Sequence, residues 1–206
     1  MRWLAMGLCL CCSVAMAQTY PASPQGLRID FGTPGPPSPP LPTGVEQTLW
    51  GSGAPVDEGH NDANPVVLGL RFRPSVNGLV LGIRFYKTSQ NTGTHTGKLW
   101  TVGGQELASV TFTGETAAGW QEARFAAPVA VTAGAVYVAS YHAPVGQYAA
   151  VTGYFSSAGH TSGDLYALRD GESGGNGVYV YSSAHGFPTD TYQATNYWVD
   201  LIFQPD

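Results

Sequence analysis

The chain has 206 residues, only 11% of them charged, and a formal net charge of −5. So sparse and acidic a charge pattern gives no electrostatic footprint for nucleic acid or anionic lipid, and neither is expected as a partner. Polarity comes instead from Gly, Thr, Ser, Asn, Gln and Tyr, which suits an exported β-protein that meets neutral polar ligands.

Residues 1–17 read as a secretory signal peptide. Arg2 supplies the positive start, Trp3 to Val14 the apolar run, and Ala15-Met16-Ala17 the small-x-small cleavage rule, with cleavage after Ala17. That run is too short for a membrane helix, so the mature chain is not expected to insert. Cys9, Cys11 and Cys12 all fall in the leader. None follows the small residue wanted before a lipidated cysteine, so a lipoprotein is the weaker alternative. The mature chain is then expected to hold no disulfide and no thiolate metal site. It is expected to be secreted or periplasmic.

Residues 18–44 form a proline-rich linker, dense enough in proline to favour polyproline II and forbid helix. The folded domain is expected over residues 45–206, ample for one core. Gln47 to Trp50 suits a first short strand, followed by a polar loop with Asp57, Glu58, His60, Asn61 and Asp62. Val66 to Arg73 and Leu79 to Lys87 alternate at period two, placing Leu68, Leu70 and Phe72 on one face and Leu79, Leu81, Ile83 and Phe85 on another. Asn77-Gly78 between them predicts a hairpin.

Strands follow over Lys98 to Val102, Gln105 to Thr113, Trp120 to Ala126 and Val129 to Thr132. The stretch Ala135 to Phe155 opens as a strand and turns on Ala143-Pro144-Val145-Gly146. It returns with Tyr148, so that Tyr141, His142 and Tyr148 are expected at one end of a sheet. Val178 to Tyr181 and Asn196 to Phe203 supply the last strands. No amphipathic helix is found, and about ten short strands with turns every 8–12 residues predict an all-β fold. The expected form is a single antiparallel β-sandwich, jelly-roll-like, with an immunoglobulin-like sandwich as the alternative.

Several segments match a known family as a set. They are Leu81-Gly82-Ile83-Arg84-Phe85-Tyr86-Lys87, Asn91-Thr92-Gly93-Thr94-His95, Leu99-Trp100, Gly119-Trp120, Tyr137 to Pro144, Gly174 to Tyr179 and Asn196 to Asp200. Together they resemble domain-of-unknown-function family 4082, a module of secreted bacterial proteins, over roughly Leu49 to Phe203. The resemblance implies an extracellular β-sandwich and, from the polysaccharide-directed domains found beside its members, a carbohydrate-binding role. Here the domain is expected to stand alone behind its leader and linker.

Neutral sugars are held by stacking on aromatic rings, with amides and imidazoles reading the hydroxyls. The C-terminal third is rich in such groups, among them Tyr148, Tyr154, Tyr166, Tyr179, Tyr181 and Tyr192. The candidate ligand contacts are His95, Tyr141, His142, Tyr148, Asn176, Tyr179 and Asn196; the alternative for each ring is a place in the core. The five histidines show no i, i+2 or i, i+4 pair, so no local zinc motif exists. Asp57, Glu58 and Asp62, with Asn61, offer hard oxygens for a structural calcium, although not at EF-hand spacing. No G-x-S-x-G elbow and no phosphate-binding glycine loop is present.

The reading is therefore a secreted, non-catalytic, monomeric module that binds carbohydrate or a cell-surface polymer. The alternatives are a structural or adhesive cell-envelope module and a metal-dependent enzyme acting on polysaccharide.

Overall fold

The computed structural model describes residues 44–56 and 62–206. The leader, the proline-rich linker as far as Thr43, and Asp57, Glu58 and Asn61 of the acidic loop lie outside the described residues, as do all three cysteines. Among the described residues there is no helix, and the chain folds into two packed antiparallel sheets.

The larger sheet has β1 (Val66–Pro74) near its centre, with β6 (Tyr137–Ala143), β3 (Thr96–Thr101) and β4 (Glu106–Thr111) beyond it on one side. The other side of β1 is shared. Its first half pairs with β9 (Val178–Tyr181), followed outward by β10 (Asp190–Thr191), and its second half pairs with β8 (Leu165–Ala167), which carries β7 (His160–Ser162). The smaller sheet runs β11 (Val199–Pro205), β2 (Gly78–Lys87) and β5 (Gly119–Val131).

Period-two alternation in β1, β3 and β6 turns Leu68, Leu70, Phe72, Leu99 and Tyr141 toward the small sheet. They meet Ile83, Phe85, Val199, Leu201 and Phe203 there, all fully buried. Phe85 and Tyr141 stack across the gap with centroids 4.1 Å apart and planes 12° from parallel.

Three expectations are corrected. The Asn77-Gly78 hairpin does not form, because β1 and β2 belong to different sheets. Gly78 lacks the positive φ that a tight two-residue hairpin demands. It is small because a Cβ there would lie 2.6 Å from the Phe203 ring, while the Asn77 side chain accepts from Ala133 N. The expected Leu79/Leu81 core face is also broken. Register slips between Val80 and Gly82, so Val80 joins Ile83 and Phe85 inside while Leu79 is only half-buried. Across that bulge, Trp120 to Ala126 and Val129 to Val131 are parts of one strand, β5, which stops before Thr132. Pro128 sits in the stretch that skips the ladder, on an edge strand where no N–H is needed.

Gln47 forms only a bridge to Phe203, but the segment after it is clamped from inside. The buried Asp200 carboxylate accepts from Leu49 N, Trp50 N and Leu201 N and pairs with Arg84 at 3.0 Å. Burial pushes its pKa up to about 6 against those donors, leaving it ionised at neutral pH.

Candidate functional site

β9 carries Tyr179 and Tyr181 two residues apart and so on one face of the strand. Antiparallel pairing sets them opposite Leu68 and Val66, at the end of the sheet where β1 begins. Three irregular segments close around them. Tyr148 arrives from the turn after β6, Tyr192 from the residue after β10, and Tyr197 from just before β11. With Asp62 and Thr195, these rings line a cavity of about 300 Å³.

The irregular segments are held by close backbone contacts. Gln147, at φ 58°, donates its N–H to Asp62 O, and a Cβ on Gly146 would come 2.0 Å from that same oxygen. Gln193 and Ala194 both sit in the left-handed region, and Thr195 closes their turn by donating N and Oγ1 to Tyr192 O. Gly177 lets the strand pass that turn, since a Cβ would lie 1.8 Å from Thr195 O.

Asp62 is the charged group among the described residues of the cavity. Its Oδ1 accepts from Asn64 N and Nδ2, both at 3.0 Å, and its Oδ2 from the hydroxyls of Tyr181 at 2.5 Å and Tyr148 at 3.4 Å. Burial works to raise its pKa, but the bonds from Tyr181, Asn64 and Tyr148 outweigh it and hold the carboxyl below its usual range. The hydroxyls of Tyr148 and Tyr197 are pushed up by burial and stay protonated. Tyr181 and Tyr192 are half exposed, at 52% and 51%, whereas Tyr148 and Tyr197 are nearly covered. A shallower depression against Asn64, Pro65 and Ser182 shares Tyr181 as its wall.

The sequence candidates divide sharply. Tyr148, Tyr179 and Asp62 line this cavity. His142 is not with them: alternation along β6 points Tyr141 inward, with no exposed surface, and His142 to the opposite face. The expected cluster of Tyr141, His142 and Tyr148 therefore does not assemble.

Asn176 is fully buried and substitutes for a strand. Where β1 changes partner from β9 to β8, its side chain accepts from Arg71 N at 2.8 Å and donates to Arg71 O at 3.1 Å. Asn196 is also fully buried, its Oδ1 capping Trp198 N and its backbone bridging Val151. His95 is buried between Glu115 at 2.8 Å and Asn91 at 2.9 Å, and burial lowers its pKa although Glu115 opposes this. Tyr141, His95 and Asn176 have their polar groups engaged inside the fold, whereas the buried Nδ2 of Asn196 has no partner among the described residues; none of the four offers a ligand any surface.

Sequence reasoning did not single out Tyr197, Thr195 or His185. The Tyr-x-Tyr spacing of β9 was a usable signal for Tyr181, whereas nothing local marks Tyr197 or Thr195.

A second cavity, of about 400 Å³, lies over β3, β4 and β6 and is bordered by Thr96, Lys98, His142 and His185. Here His185 Nε2 is 2.9 Å from Ser140 Oγ, within reach of a nucleophile–base pair. Its other nitrogen is 2.7 Å from Thr96 Oγ1, where a catalytic base would have a carboxylate. Ser140 has no exposed surface and accepts from Trp100 Nε1 at 2.8 Å. Such a serine cannot reach a substrate carbonyl.

Among the described residues no group of three or more His, Cys, Asp or Glu side chains is placed to hold a metal. No curated protein matches the chain. The family described as Domain of unknown function (DUF4082) matches residues 52–199, from the loop before Asp62 to the start of β11. That span covers most of the domain and both cavities, and the chain belongs to this family.

Proposed function

We propose that the protein is a secreted, non-catalytic binding module for carbohydrate, with its site at the tyrosine cavity. The observation that carries this reading is Tyr181. Half exposed, it forms a wall common to two adjoining depressions, with the half-exposed Tyr192 beside it. Successive sugars of a polymer placed across it would meet an aromatic surface on one side and the Asn64 and Ser182 edge on the other. The hydroxyl-reading role falls to the exposed Asn64 and the Tyr192 hydroxyl rather than to buried amides.

A structural calcium at the acidic loop belongs to the same reading, and is tested with it. Purified protein is passed over a panel of insoluble polysaccharides with and without a chelator. Retention on one polymer, abolished in both Tyr181→Ala and Tyr192→Ala, is the expected outcome; chelator sensitivity would support the calcium. Retention unaffected by either substitution would place the site elsewhere. No retention on any polymer would favour the structural, adhesive role.

A further inference from the structure

The walls of the tyrosine cavity are not arranged as a platform. Tyr148 and Tyr197 meet at 78°, Tyr197 and Tyr179 at 69°, and Tyr179 and Tyr181 at 77°, with centroids 5.6–6.3 Å apart. A flat platform suits the face of a sugar ring, whereas rings standing nearly at right angles enclose a compact, rounded group. Aromatic faces are electrically negative, so the compact group they hold best is a cation.

The polar complement points the same way. Among the described residues Asp62 is the sole charged side chain bordering the cavity, and no lysine or arginine lines it. Both oxygens of Asp62 already accept hydrogen bonds, two of them from the Tyr181 and Tyr148 hydroxyls. The wall therefore offers a negative field and ring surface more than vacant hydrogen-bond acceptors. That is the complement of a quaternary ammonium group, which is charged, compact and donates no hydrogen bond.

We infer that the cavity formed by Asp62 and the surrounding tyrosines receives a cationic nitrogen carried by the ligand. The inference rests on the proposed binding site and names the charge of the group that enters it. Two sources carry such a nitrogen, a quaternary ammonium substituent, which needs no acceptor, and the protonated amine of an amino sugar, which can turn its N–H groups to the ring faces.

The test titrates purified protein with choline and with its neutral carbon isostere, 3,3-dimethylbutan-1-ol, following tyrosine ring NMR signals. Glucosamine and N-acetylglucosamine form the second pair. Saturable choline binding about tenfold tighter than that of the isostere is expected, since the two differ only in charge. It should be lost in Tyr192→Ala and weakened severalfold in Asp62→Asn. Should Asp62→Asn fail to fold, Tyr192→Ala still decides, because its ring is half exposed. A preference for glucosamine over N-acetylglucosamine, without choline binding, would also support the inference and assign the nitrogen to a sugar amine. Equal binding within both pairs, or none, would overturn it. Choline binding without retention on any polysaccharide would retain the cation site and sink the carbohydrate reading; retention on a neutral polymer with no response to either cation would do the reverse.

Discussion

The tyrosine cavity and the histidine cavity differ in what their walls have left to give. Over β3, β4 and β6 the polar groups are committed to one another. His185 is held by Thr96 and Ser140, His142 lies 3.0 Å from Ser182 O, and Lys98 donates to Glu106 and to His185 O. Beside β9 the hydroxyls of Tyr148 and Tyr181 are likewise committed, to Asp62, but the ring surfaces of Tyr181 and Tyr192 remain half uncovered. The histidine cavity is the roomier of the two and holds the residues more often associated with catalysis. Uncommitted surface, not volume or residue type, separates a place to bind from a place where the fold is stapled.

The largest effect expected from this division concerns a residue that only resembles a ligand contact. Asn176→Ala removes the amide that completes the ladder at Arg71, together with its bonds to Leu168 O and Gly177 N. Several buried backbone groups lose partners at about 1–3 kcal/mol each, so a loss of at least about 3 kcal/mol is expected in denaturant unfolding. A small loss would mean that the split partnership of β1 does not depend on that side chain.

His185→Ala comes next, at about 1–3 kcal/mol, because the half-buried imidazole is a hydrogen-bond partner of both Thr96 and Ser140. Ligand retention should survive it. A folded His185→Ala protein that no longer binds would reverse the ranking of the two cavities.

The same imidazole gives a pH signature. Burial, reinforced by the charges of Lys98 and His142, lowers its pKa from 6.5 to about 3. The unfolded chain then takes up a proton that the folded chain refuses. The contribution of His185 is therefore full above pH 6.5 and is lost as pH falls toward 3, at about 1.4 kcal/mol per unit. Replacement by glutamine removes this slope while leaving the other titrating groups, including His95, whose pKa burial also lowers, in both proteins. The stability gap between wild type and His185→Gln should narrow from pH 7.5 to pH 5. Parallel curves would show that the folded protein protonates His185.

A sandwich of antiparallel strands was legible in the sequence because period-two alternation is local, but the short β7, β8 and β10, with two or three residues each, carry too little of it to be seen. What was not legible was mostly non-local. Asn77-Gly78 carries the composition of a hairpin, yet the chain there crosses between sheets, a decision made by the pairing of β2 with β11 more than 100 residues away. The slip at Val80 follows from an irregular stretch of β5 that no period in β2 announces. In the site, Tyr148 and Tyr179 could be named as aromatic candidates, but Tyr141 and His142 could not both face a ligand once β6 was a regular strand. Alternation separates these neighbours on a strand that runs through His142, and the expectation of a shared end overlooked it. Asn176 and Asn196 misled for a chemical reason: the amide that reads a sugar hydroxyl serves equally well to complete a backbone ladder, and only burial distinguishes the two uses.

The smallest stability effect is also the sharpest test of the comparison. Tyr192 is 51% exposed, and the ring–ring contacts that join Tyr148, Tyr197, Tyr179 and Tyr181 do not extend to it. Tyr192→Ala should change unfolding free energy by no more than about 0.5 kcal/mol, as for an ordinary surface substitution. Tyr148→Ala is the informative contrast. Its ring is 8% exposed, packs on Tyr197 at 5.7 Å and belongs to the core, so binding and stability should fall together. Denaturant midpoints and polysaccharide retention measured on both variants then form a pair. Loss of retention in Tyr192→Ala with the midpoint unmoved would show that the uncovered ring serves binding alone. A midpoint shift as large as that of Tyr148→Ala would show that its surface, like the histidines', is already committed to the fold.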